Sequence, residues 1–159
     1  MSPPAPPVRV ERVPADRTYD LRGRVLRPHA PDRVRFPGDD VPDAASFAAI
    51  DGDEVVGTVV VYPEACPWRP EATAAWRLRG MATAPDRRSA GIGGAVLAAA
   101  LAHIAAAGGT LVWCNARTPA RRFYERAGFR VHGDEWVDPD IGPHVAMWRP
   151  VPADVPAPG

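Results

Sequence analysis

The sequence predicts a single α+β domain, and three observations point to it. The length of 159 residues fits one domain, since single domains commonly run to about 100–200 residues. An Asp51-Gly52 turn joins two short apolar runs, the pattern of a β-hairpin. Further on, a strand from Trp76, a glycine-rich turn, a helical run and a strand ending at Cys114 follow one another as a β-α-β unit.

The elements follow in order. Residues 1–7 and 151–159 are Pro-rich and read as disordered tails around a domain of residues 8–150. Val8, Val10 and Val13 alternate with charged residues as a first strand. Asp16 is the expected N-cap of a helix running to Leu26, with Leu21, Val25 and Leu26 as its apolar face, and Arg27-Pro28 stops it. Residues 28–43 hold four prolines and read as a loop. Residues 45–50 and 55–62 form the hairpin, and a second Pro-rich loop covers residues 63–72. A strand over Trp76–Ala82 precedes a helix over Ile92–Ala107, in which Leu97, Leu101 and Ile104 make a stripe that faces the sheet. Thr110–Cys114 is a strand, Pro119–Ala127 a short helix ended by Gly128, and Phe129–Val137 and His144–Trp148 are the last two strands.

Composition removes several classes of function. Hydrophobic residues make up 46% and charged residues 24%, which is a globular balance. Nineteen basic residues against nineteen acidic ones give no net charge, so nothing draws the chain toward nucleic acid or an anionic membrane. Every basic residue is Arg, which excludes lysine nucleophiles, Schiff bases and a Walker loop. Cys66 and Cys114 match no metal or disulfide spacing and read as buried free thiols, so no metal is expected. The N-terminus lacks the features of a signal peptide, and the uncharged, Ala-rich stretch 91–109 has too few large apolar side chains to insert in a bilayer. A cytoplasmic protein is expected.

The most informative segment is Arg87-Arg88-Ser89-Ala90-Gly91-Ile92-Gly93-Gly94, between a strand and a helix. Free N–H groups at a helix start, the helix dipole and close-approaching glycines make a seat for a phosphate. A Gly-x-Gly alone is more often a plain turn, so its setting decides. With Asn115 after the next strand and Tyr124 through Gly128-Phe129 beyond it, the chain resembles the GNAT superfamily of acetyl-CoA-dependent N-acetyltransferases, chiefly over residues 76–130.

The resemblance implies a mixed central sheet flanked by helices. It also implies that Met81 and Thr83 bind pantetheine through the main chain, that Arg88, Ser89, Ala90, Gly91, Ile92, Gly93 and Gly94 hold the pyrophosphate, and that Asn115 approaches the pantetheine arm. Tyr124 would be the general acid for the departing thiolate, a role suited to a phenol within hydrogen-bond reach. The general base stays open among Glu135, Asp134, His144 and a water relay. Arg77 and Arg79 share one strand face and suit either a substrate anion or surface ion pairs, and Trp68 is a candidate for the acceptor pocket. The implied activity is direct acetyl transfer to a primary amine of a small molecule or protein, with homodimers frequent among relatives. The alternative is a catalytically inactive acyl-CoA-binding sensor of the same fold.

Overall fold

A computed structural model describes residues 8–30, 32–88 and 90–153. The tails 1–7 and 154–159, Pro31 and Ser89 lie outside the described residues.

The domain is α+β. β1 (Arg9–Val13), β2 (Ala45–Asp51), β3 (Glu54–Pro63), β4 (Ala75–Thr83), β5 (Leu111–Arg117), β6 (Arg130–Asp138) and β7 (Gly142–Pro150) form one sheet in the order β1-β2-β3-β4-β5-β7-β6. Only β4 and β5 are parallel, because the chain between them crosses over as a helix; the remaining neighbours are antiparallel. The helices are α1 (Tyr19–Leu26), α2 (Ile92–Ala106) and α3 (Arg121–Arg126).

Side-chain alternation along β3 sends Val59 and Val61 into the main core with Val96, Leu97 and Ile104 of α2, and Val60 and Tyr62 into a smaller cluster with Phe36. Leu97, Leu101 and Ile104 are buried, as their spacing predicts. α2 lies close to the sheet because Gly57 has no side chain: a Cβ there would stand 2.7 Å from Ile92 and 3.2 Å from Val96.

The structure corrects several local expectations. Residues 15–18 form a 3-10 turn, so Asp16 caps no α-helix and α1 begins at Tyr19. The loop over 28–43 contains a second 3-10 turn at Pro37–Asp40. β5 continues to Arg117, three residues past its expected end, because Asn115, Ala116 and Arg117 pair with Ala146, Val145 and His144. Val151, assigned to the tail, is buried, and its N–H donates to the Thr110 carbonyl at 2.8 Å.

Candidate active site

The site begins with one extra residue. Thr58 pairs with Ala82 and Val60 with Arg79, so Gly80 and Met81 of β4 together oppose Val59. Gly80 takes φ +64°, where a side chain is strained, and a Cβ would stand 2.9 Å from Arg22 Nε. The Thr58 hydroxyl fixes this bulge by donating to the Gly80 carbonyl at 2.9 Å. β4 pairs with β5 only over Ala75–Arg77 against Leu111–Trp113. Beyond that the strands part, and a cavity of about 310 Å³ opens between them. Leu78 to Met81 form one wall, Cys114, Asn115 and Arg117 another, with Tyr124 of α3 and Trp136, Asp138 and His144 of the β6–β7 hairpin completing it.

α2 starts beside this opening. Gly91 caps it at φ +79°, and the first helical bond runs from Ala95 N–H to the Gly91 carbonyl, which leaves the amides of Ile92, Gly93 and Gly94 without helical partners. Gly93 packs under Phe123 and beside Thr83, whereas a Cβ on Gly94 would meet nothing within 4 Å. Ala90 and Arg88 are exposed at this end. Arg87 is not available to a phosphate, because it is ion-paired to Asp51 and has Glu54 at 4.0 Å. Among the described residues Arg88 has no carboxylate within ion-pair distance, so it is the guanidinium at the loop open to a phosphate.

Tyr124 is only 4% exposed but lines the cavity, with its ring edge-on to Phe123 and Phe129. Burial pushes its phenol well above the ordinary value, and neighbouring Cys114 adds to this. Burial also pushes the Cys114 thiol up to about 12, so it stays protonated and is no nucleophile.

Of the three side chains considered as base, only His144 lines the cavity. Its Nδ1 lies 2.8 Å from the Gly142 carbonyl, which can only accept, so Nδ1 carries a hydrogen and, in the neutral ring, the lone pair is on Nε2. Trp136 stacks on the imidazole at 5.6 Å. Asp134 and Glu135 are exposed on the bulged part of β6, and Glu135 accepts a hydrogen bond from the Thr118 hydroxyl.

Arg77 and Arg79 both face the cavity, and Arg77 is also paired with Glu64 at 3.0 Å. Trp68 is not part of the cavity: it stacks on His132 at 4.7 Å and packs edge-on to Trp113. Arg27, Phe36 and Arg117 are cavity residues that sequence reasoning missed. Arg27 stood at a helix stop and Arg117 beyond an expected strand end, so neither carried a local signal.

The acetyltransferase (GNAT) domain model matches residues 42–131, more than half of the chain. The chain belongs to the GNAT acetyltransferase family. The uncharacterized N-acetyltransferase YitI of Bacillus subtilis (strain 168) is 29% identical over 141 residues, which cover 88% of this chain and 94% of that protein. Escherichia coli ElaA superposes with a TM-score of 0.73 at 15% identity, covering 89% of this chain and 99% of that one. An aminoglycoside 6'-N-acetyltransferase, solved with coenzyme A, superposes with a TM-score of 0.68 at 18% identity, covering 95% of this chain and 99% of that one. This GNAT N-acetyltransferase presents, at the start of α2, three amides without helical partners beside an unfilled space at Gly94, an arrangement that fits a phosphate-bearing ligand. Among the described residues no group of side chains is arranged to hold a metal ion, and no helix is long and apolar enough to cross a membrane.

Proposed function

We propose that this acetyltransferase moves acetyl from acetyl-CoA directly to a primary amine of a small molecule or a protein. The observation that carries the reading is the placement of Tyr124 and His144 on one cavity where β4 and β5 part. Acetyl-CoA supplies the activated thioester. Arg88 and the amides of Ile92, Gly93 and Gly94 hold its pyrophosphate, together with the loop residues Ser89, Ala90 and Gly91. Met81 and Thr83 offer main-chain groups along the β4 edge that has lost its β5 partner, for the pantetheine and for polarising the acetyl carbonyl. Asn115, exposed on β5, lies across the opening toward the same arm.

His144 Nε2 takes a proton from the acceptor ammonium, and the freed amine forms the C–N bond as the C–S bond breaks. Tyr124 gives its proton to the departing thiolate, and the second proton shed by the acylated nitrogen returns the phenolate to a phenol. A phenol with a raised pKa is fully protonated at neutral pH, so the donor form is always present. The Cys114 thiol in the cavity wall is held protonated by burial, which supports direct transfer over a covalent enzyme intermediate.

Tyr124→Phe tests the reading. Thiol release with an amine panel is expected to fall about 100-fold or more in kcat, while CoA affinity changes less than threefold. Retention of wild-type kcat removes Tyr124 from the role of acid. If wild type binds acetyl-CoA yet acetylates nothing in the panel, the protein is a sensor and not an enzyme.

A further inference from the structure

The cavity wall carries more positive charge than acetyl transfer requires. Arg27, Arg77, Arg79 and Arg117 all line it, against one carboxylate, Asp138. Arg77 is neutralised by Glu64. Among the described residues the other three have no carboxylate within ion-pair distance, and Asp138 Oδ1 is occupied by the amides of Asp140 and Ile141 at 2.9 and 3.1 Å.

The three guanidiniums also converge. Arg27 Nη1 and Arg117 Nη2 donate to the same acceptor, the Leu26 carbonyl, which brings two like charges side by side. Arg79 lies over the Phe36 ring at 4.2 Å and Arg27 over the same ring at 5.9 Å. Burial lowers the pKa of Arg27, and Arg79 and Arg33 lower it further, with Asp138 acting against them. Arg117 is lowered by burial and then by Arg27. Gathering partly desolvated like charges is unfavourable unless an anion joins them, and guanidinium forks match carboxylate and phosphate oxygens.

We propose that the acceptor is an amine that also carries a carboxylate or phosphate, and that Arg27, Arg79 and Arg117 hold this anionic group in the cavity between β4 and β5. The proposal rests on the acetyl-transfer reading above. The site is separate from the pyrophosphate seat, since none of the described residues from 87 to 94 lines this cavity. The same wall repels a polycationic acceptor such as an aminoglycoside.

Three matched pairs test it by calorimetry with CoA saturating, so that the pyrophosphate seat is filled: phenylalanine and its amide, γ-aminobutyrate and its amide, phosphoethanolamine and ethanolamine. In at least one pair the anionic member is expected to bind tenfold or more tightly. That advantage should drop below threefold in Arg79→Gln and Arg117→Gln and survive in part in Arg79→Lys, with unchanged CoA affinity reporting an intact fold. Absence of discrimination in all three pairs, or tightest binding by spermidine, overturns the proposal. A succinyl-CoA arm separates the other source of an anion. If the glutamine variants lose use of succinyl-CoA relative to acetyl-CoA while no pair discriminates, the anion belongs to the acyl chain and the proposal falls. Tight binding of an anionic amine that is never acetylated keeps the arginine site and removes the transfer reading; equal acetylation of acids and amides does the reverse.

Discussion

Arg22 is fully buried, and Asp39 answers its charge with two bonds of 2.8 Å while also accepting the Phe36 amide at 2.8 Å. The guanidinium donates as well to the Val34 carbonyl and stacks on Phe36 at 4.4 Å, so α1 and the loop over 34–40 are tied beneath the Gly80 bulge. Asp39→Ala leaves a buried cation unanswered and is expected to cost about 3–5 kcal/mol in chemical denaturation. A loss under 1 kcal/mol in that measurement rules out the tie. This pair was not legible in the sequence. Arg22 sits among apolar positions of a short helix and meets a partner 17 residues away, and only tertiary packing brings them together. Tyr124 was legible because its setting, followed by Gly128 and Phe129, is a local pattern. His144, by contrast, could be separated from Asp134 and Glu135 only by which side chain reaches the cavity.

The helix α2 shows what local signals determine well. Glycines at its entrance and an apolar stripe predicted its first residue and its buried face, and the structure places both there. The length of β5 depended instead on pairing with β7, and the β4 bulge on a register shift against β3, both long-range properties. Gly94 offers a clean probe of the helix start. It has an ordinary helical backbone, it is exposed, and an added side chain meets nothing within 4 Å. Glu at this position favours the helix over Gly and suits the N-terminal dipole, so Tm is expected to hold or rise. The same carboxylate opposes a bound pyrophosphate, so the thermal shift on adding CoA should vanish. Wild type at about 100 times its Kd should gain about 2.7 kcal/mol. A variant that folds and still shows the full shift moves the pyrophosphate elsewhere. Gly91→Glu is a poorer probe, because φ +79° strains any side chain there.

Folding one domain around this cavity removes three acids from water at once: Tyr124, Cys114 and Cys66 all rise above their ordinary values, with burial as the main cause. A raised acid keeps its proton in the folded state after the unfolded chain has released it. The contribution of Cys114 to stability is therefore complete below its ordinary value of 9.0 and declines as pH climbs toward about 12. Each such group lowers stability by up to about 1.4 kcal/mol per pH unit across its window. The fold should thus lose Tm steeply above pH 9, along a limb that pairwise surface charges do not produce. Cys114→Ala removes one of the three groups without adding a polar atom to the core. Its Tm should start lower at pH 8, from the small void, and then fall less steeply than wild type between pH 9 and pH 11. Parallel curves for the two proteins over that range mean that the Cys114 proton is not what ties the fold to pH, and that the alkaline limb arises from Tyr124 or Cys66 instead.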